Sequence, residues 1–300
     1  MIGYDLIGNT PLVLLETFSD KHVQIYAKLE QYNPGGSVKD RLGKFLVEHA
    51  LEHGLVREGD TIVDASAGNT GIGLAIAANH FNLHCVIYTP EGFSEEKISI
   101  MRALGVQVER TPIEDGMQGA REAARCFAAD SNAFYINQFE TDLNPQAYAQ
   151  TLGQEITSAL SDIDYFVGGV GSGGTFTGVA QYLSQFNVGS VVVEPEGSIL
   201  SSGEMHEHDI EGIGVEAWPK FLEKGLIADI IKVSDIDAFR NVKQLALQEG
   251  LLVGSSSGAA LQGALEVKKH INKGVIVTIF PDGSDRYMSK QIFEYEENVK

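Results

Sequence analysis

Short apolar runs alternate with amphipathic stretches along most of this chain. Residues 25–30 read as a strand, and over 41–54 the residues Leu42, Phe45, Leu46, Ala50 and Leu51 fall at helical spacing. Further strands are expected at 61–65, 85–89, 106–109 and 133–136, separated by helices over 72–81, 94–104 and 116–130. Ser94 followed by Glu95 and Glu96 is a helix-start pattern, and Gly105 ends that helix. The second half repeats the alternation. Its helices are expected over 148–161, 175–184, 235–248 and 259–271, and its strands at 165–168, 191–194, 230–233 and 275–280. Residues 195–218 lack periodicity and read as a long functional loop or lid. Strands alternating with helices at this spacing imply mostly parallel sheets with ligands at the carboxyl ends of the strands. The expected fold class is α/β, in two three-layer lobes. The smaller covers 35–145, and the larger is built from 1–34 and 146–300.

Composition narrows the function. Apolar residues make up 43% of the chain against 21% charged, with 33 glycines and 8 prolines, which suits a globular enzyme and not a disordered chain. A net charge of -19 without a basic cluster disfavours nucleic acid, so the expected partner is a small molecule. Cys85, inside an apolar run, and Cys126 give neither a disulfide framework nor a zinc site. No apolar run approaches the roughly 20 residues of a membrane span, and the first residues lack a leader pattern, so a soluble cytoplasmic protein is expected.

Candidate chemistry sits in turns at the strand ends. Asn33-Pro34-Gly35-Gly36-Ser37-Val38-Lys39-Asp40-Arg41 puts Lys39 directly behind a tight turn at a helix start. Lys39 is a candidate covalent anchor, and the plainer alternative is an exposed first-turn lysine. Ser66-Ala67-Gly68-Asn69-Thr70-Gly71 opens the next helix, where free amides with Ser66, Asn69 and Thr70 suit a carboxylate; a plain N-cap by Ser66 or Asn69 explains the turn equally. Gly169-Val170-Gly171-Ser172-Gly173-Gly174 matches the dinucleotide pattern G-x-G-x-x-G, with Glu194 about 20 residues further on. Its place past mid-chain and the hydroxyls of Ser172 and Thr175 favour a phosphate monoester instead. Gly254-Ser255-Ser256-Ser257-Gly258, by itself, is only a cap. A lysine, a phosphate cradle, a carboxylate cradle and a serine turn together suggest pyridoxal 5'-phosphate (PLP) held through a Schiff base, with an amino acid as substrate.

NPGGSVKDR, SAGNTGIGLA, GSGGT and SSSGAA occur in this order across nearly the whole chain. With them the chain resembles the fold type II, tryptophan synthase β-like PLP enzymes of the cysteine synthase and cystathionine β-synthase family, whose cofactor lies between the two lobes. The resemblance implies Lys39 as Schiff-base lysine and general base, Gly171, Ser172, Gly173, Gly174 and Thr175 as the phosphate loop, Asn69 on the ring hydroxyl and Ser256 facing the pyridine nitrogen. Serine there, unlike aspartate, does not hold a proton on that nitrogen, which favours β-elimination over transamination. Around the substrate it implies Ser66, Ala67, Asn69, Thr70 and Gln138, with Gly212 in the lid stretch Gly212-Ile213-Gly214; Ala67 stands where the family often has serine.

The activity so implied is β-replacement on O-acetyl-L-serine or L-serine through an aminoacrylate, in a homodimer with PLP and no metal. Residues 89–112, and Glu216 where cysteine synthases tend to have glycine, resemble cystathionine β-synthases more closely, which implies homocysteine as the nucleophile and L-cystathionine as the product. Sulfide, giving cysteine, is the alternative. An NAD-dependent dehydrogenase is a more distant one, and a catalytically silent binding protein of the same fold is the other class. His206 and His208 read as solvated lid residues, Asp282 and Asp285 receive no role, and docking of a serine acetyltransferase tail stays open.

Overall fold

The computed structural model describes residues 3–201 and 205–295. In chain order its elements are β1 (Leu12–Leu14), β2 (Val23–Leu29), α1 (Lys39–Glu52), β3 (Thr61–Ala65), α2 (Asn69–His80), β4 (His84–Pro90), α3 (Glu95–Ala103), β5 (Gln107–Thr111) and α4 (Gly116–Ser131). There follow β6 (Phe134–Tyr135), α5 (Leu143–Tyr148), α6 (Gln154–Ala159), β7 (Tyr165–Gly169), α7 (Gly174–Leu183), β8 (Gly189–Pro195), β9 (Ile227–Val233), α8 (Asp235–Gln244), α9 (Ser255–His270) and β10 (Gly274–Phe280). Among the described residues no helix is long and apolar enough to cross a membrane.

The chain divides into two compact units, one made of the residues up to Gly8 with Asn33–Ala147, the other of Asn9–Tyr32 with the chain from Tyr148 onward. Residues 3–8 thus go with the smaller unit, where the pattern reading kept all of 1–34 with the larger. The reason is local: the Tyr4 ring stacks on His80 at 4.1 Å and meets Phe81 edge-on, and the Gly8 N–H donates to Asn33 Oδ1 at 2.8 Å.

The smaller unit carries a four-stranded, all-parallel sheet in the order β5-β4-β3-β6. Alternation along β3 and β4 turns Val63, Ala65 and Val86 toward Ala120 and Ala124 of α4. Ile87, on the other face, lies against Gly71 of α2, so the unit has three layers. α1 packs on α2 backbone to backbone. A Cβ at Gly43 would stand 2.3 Å from the Gly73 carbonyl, and one at Gly73 2.4 Å from the Lys39 carbonyl oxygen, so only residues without side chains permit this approach.

The larger unit carries a six-stranded sheet in the order β1-β2-β10-β7-β8-β9, in which β1 runs antiparallel to β2 and every other pair is parallel. Val167, Val191, Val193 and Ile276 face Ala238 and Val242 of α8 and Ala259 and Ala264 of α9. On the opposite face Phe166 stacks on Phe176 of α7, ring centroids 5.3 Å apart. β1 escapes the sequence pattern because three residues show no period. The expected helices over 148–161 and 235–248 contain π-turns at Ala149–Gly153 and Leu245–Glu249, which a 3.6-residue spacing does not reveal. Residues 196–201 and 205–223 hold no helix or strand. They cover most of the expected lid, and 202–204 lie outside the described residues.

Candidate active site

In the smaller unit Lys39 is the first helical residue of α1, two positions before the start that apolar spacing indicates. The turn in front of it is closed by its own polar residues: the Lys39 N–H donates to Ser37 Oγ at 3.2 Å, and the buried Asp40 accepts the Gly35 N–H. The Lys39 side chain keeps part of its surface open. Its ammonium nevertheless lies deep enough that burial brings it down to about 8.

α2 begins at Asn69, with Gly68 as N-cap at φ 145 and the stem of Lys97 lying where a Gly68 Cβ would stand. Ser66 Oγ accepts the N–H groups of Gly68 at 3.0 Å and Gly71 at 3.1 Å, so Ser66 does supply part of the capping that the plainer reading gave it. Thr70 Oγ1 donates to Gln138 Oε1 at 2.7 Å, and Gln138 Nε2 donates to the Ala65 carbonyl at 2.8 Å. The Gln138 carbonyl accepts from Asn144 Nδ2 at 2.7 Å. Ser66, Ala67, Asn69, Thr70 and Gln138 therefore gather at the carboxyl end of β3, with Ala67 half-buried and bringing no hydroxyl.

In the larger unit the N-cap of α7 is Gly173, in left-handed backbone at φ 87, and no side chain caps it. Gly171, Ser172, Gly174 and Thr175 complete the loop. A Cβ at Gly171 would stand 2.5 Å from the Gly212 carbonyl oxygen, the Gly214 N–H donates to the Val170 carbonyl at 2.9 Å, and Ile213 packs on Gly169. Gly212-Ile213-Gly214 thus runs along the loop, while Gly212 and Glu216 face solvent. α9 likewise starts without a side-chain cap, at Gly254. Ser256 is buried there, and the fully buried Ser257 hydroxyl has no hydrogen-bond partner among the described residues. Asp282 supports this start: its carbonyl accepts the Gly254 N–H at 3.0 Å and its Oδ2 the Tyr287 hydroxyl at 2.6 Å. Asp285 is exposed. His206 is exposed and its Nδ1 lies 2.9 Å from the Glu207 carbonyl, while His208 packs on Gly214. Among the described residues no three His, Cys, Asp or Glu side chains form a group that could hold a metal ion.

These features fit PLP. An uncapped glycine-rich helix start with the hydroxyls of Ser172 and Thr175 suits a phosphate dianion, and an amine lowered to about 8 suits an aldehyde. The dinucleotide reading of the same loop needs Glu194 for a ribose. Glu194 is fully buried and its carboxylate is already engaged, accepting the Leu200 N–H at 2.8 Å, the Ser201 N–H at 2.9 Å and the Ser201 hydroxyl. By contrast with α7 and α9, helices α3 and α8 are capped by Ser94 and Ser234.

Pattern reading missed two contributors: Asp40 as the clamp of the lysine turn, and the Gly43–Gly73 contact that holds Lys39 beside the start of α2. The two glycines did carry a signal, since an isolated glycine inside a helix usually has a packing reason.

The O-acetylserine dependent cystathionine beta-synthase of Bacillus subtilis is 51% identical over 296 residues, covering 97% of this chain and 96% of that protein. A cysteine synthase of Helicobacter pylori is 45% identical over 300 residues, covering 96% and 97%. The crystal structure of O-acetylserine dependent cystathionine beta-synthase from Helicobacter pylori superposes with a TM-score of 0.93 at 44% identity, over 98% of this chain and 99% of that one. The sequence profile described as pyridoxal-phosphate dependent enzyme matches residues 4–282, and the chain belongs to that family.

Proposed function

We propose that this chain catalyses PLP-dependent β-replacement on O-acetyl-L-serine, with homocysteine as the nucleophile and L-cystathionine and acetate as products. The observation that carries it is Lys39, an enclosed amine with its basicity reduced to about 8, fixed by the Gly43–Gly73 contact next to the turn that opens α2. Such an amine is neutral in a large fraction near neutral pH, so it serves both as a covalent anchor and as a base.

Lys39 Nζ would anchor the cofactor covalently, and its free amine would be the base that takes the proton from the substrate α-carbon. Gly171, Ser172, Gly173, Gly174 and Thr175 receive the phosphate through backbone N–H groups and two hydroxyls. Asn69 takes the ring hydroxyl, and Ser256 faces the pyridine nitrogen without fixing a proton on it. When bound, PLP supplies the electron sink that makes the α-proton removable. Ser66, Ala67, Asn69, Thr70 and Gln138 form the carboxylate cradle. Gln138 commits one Nε2 proton to the Ala65 carbonyl and keeps the second for the substrate. Gly212 closes the lid side, and the exposed Glu216 carboxylate meets the ammonium of the incoming amino-acid thiol.

The test offers O-acetylserine or L-serine as donor against homocysteine and sulfide in parallel and identifies the products. Cystathionine as the main product with O-acetylserine is expected. Cysteine as the main product would replace homocysteine by sulfide in this reading, and no acetate release from O-acetylserine would end it. The same reading carries a homodimer, which light scattering on the purified protein checks.

A further inference from the structure

After β6 the Ile136 N–H donates to the Val63 carbonyl at 3.0 Å and prolongs the pairing with β3. Asn137 then takes left-handed backbone at φ 55 and turns the chain off the sheet. Its carbonyl accepts the N–H groups of Glu140 at 3.0 Å and Thr141 at 3.1 Å, and the Thr141 carbonyl accepts that of Asn144 at 3.1 Å. The turn so closed returns Asn144, in the first turn of α5, to Gln138. Asn144 is fully buried, and its Nδ2 donates to the Gln138 carbonyl at 2.7 Å. A carbonyl oxygen only accepts, so the nitrogen of the Asn144 amide is the atom that faces it. Its Oδ1 is buried with no hydrogen-bond partner among the described residues. One bond made and one polar atom left without a partner add little net stability, so the amide is not explained by its service to the fold.

Its one bond goes to a residue of the carboxylate cradle. Gln138 Oε1 accepts from Thr70 Oγ1 at 2.7 Å, and its Nε2 donates to the Ala65 carbonyl at 2.8 Å. Those two bonds fix the tip of the side chain, and Asn144 fixes the backbone from which it springs. On the outer side of the turn Arg121 lies over the Phe139 ring and pairs with Glu140 at 2.8 Å. That pair is largely exposed and holds the backbone weakly by comparison with a buried amide. We propose that Asn144 is a positioning residue for substrate binding: through the Gln138 carbonyl it fixes the direction in which the second Nε2 proton of Gln138 meets the substrate α-carboxylate. This rests on the cradle role assigned above to Ser66, Thr70 and Gln138.

The experiment compares wild-type and Asn144→Leu holoenzyme, leucine having nearly the same size without the donor. Each is titrated with L-serine and with ethanolamine, which keeps the amine and the hydroxyl but lacks the carboxylate, following the cofactor absorbance, and each is melted. The expected result is a roughly tenfold weaker L-serine affinity, the size of one lost charge-assisted hydrogen bond, with ethanolamine affinity held within about twofold, a change too small to report a hydrogen bond. The Tm is expected to stay within about 4 °C of wild type, because the unpartnered atom merely moves from Asn144 Oδ1 to the Gln138 carbonyl. A merely structural asparagine behaves differently, its loss lowering Tm and weakening both ligands alike. If Asn144→Leu does not fold, Asn144→Ser, smaller and too short to reach the carbonyl, carries the same comparison. Unchanged L-serine affinity in the folded variant, or a parallel loss for both ligands with a lower Tm, overturns the proposal. A wild-type holoenzyme that does not prefer L-serine over ethanolamine overturns the cradle reading itself.

Discussion

A half-buried lysine and a fully buried acid in the smaller unit are shifted in opposite senses by the same cause. Burial disfavours the charged form, so Lys39 falls to about 8 and Asp64 rises to about 7. For Lys39 the shift enlarges the neutral fraction, and the rate at which apoprotein takes up PLP is expected to climb with pH and level off above about 8; a rate flat from pH 6 to 9 would speak against it. For Asp64 the folded carboxyl titrates well above its ordinary value of about 4. Its contribution is fully present below about pH 4 and is lost as pH rises through about 7. Asp64→Asn removes that loss, so its stability advantage over wild type should be absent near pH 4 and grow to a few kcal/mol by pH 8, on the order of 1.4 kcal/mol for each pH unit between the unfolded and folded titrations. Urea midpoints at the two pH values measure it. Ser256, buried in the first turn of α9, gives a third residue-scale test. An aspartate there is tolerated by the helix N-terminus but would hold a proton on the facing ring nitrogen. Ser256→Asp is expected to fold normally and to lose at least about tenfold in acetate release, an order of magnitude in keeping with general acid–base effects; a wild-type rate in a folded, PLP-loaded variant would contradict the assignment.

At the scale of elements, the crossing of α1 on α2 is where packing meets chemistry. A methyl at Gly43 would stand 2.3 Å from the Gly73 carbonyl, and neither backbone can retreat without moving Lys39. Gly43→Ala should therefore cost about 1–3 kcal/mol, the usual size of an overpacking penalty, and lower turnover beyond what the loss of folded protein explains. Calorimetry and a rate normalised to PLP content separate the two effects. The same region marks the limit of what was legible in the sequence. The turns themselves were readable, because glycine, proline and hydroxyl residues at a strand end act locally. The helix starts were not, since apolar spacing tracks the residues that face the core, and it placed α1 at Arg41 and α2 at Ile72 although Lys39, Asn69 and Thr70 are already helical. β1 was too short to show a period. Asp64 was missed for a different reason: residues 61–65 read as a short buried strand, and the sequence does not say what an acid inside such a strand faces.

Across the whole molecule, the alternation of strand and helix was enough to predict α/β units with mostly parallel sheets, because parallel pairing needs a crossover helix and leaves continuous apolar strands. It could not assign the N-terminal segment, whose place is fixed by the contacts of Tyr4 with His80 and Phe81 and by the bond from Gly8 to Asn33. The four turns come from distant parts of the chain, and their order was informative where each one singly was not. At two of them, the starts of α7 and α9, no side chain caps the helix, whereas Ser37 and Ser66 accept backbone N–H groups at the other two. The measurement that tests the role of Lys39 most directly is acetate release from O-acetylserine by wild-type and Lys39→Ala protein, each saturated with PLP. A fall of about a thousandfold is expected, the scale of removing a general base and covalent anchor. A Lys39→Ala protein that releases acetate at the wild-type rate would contradict it.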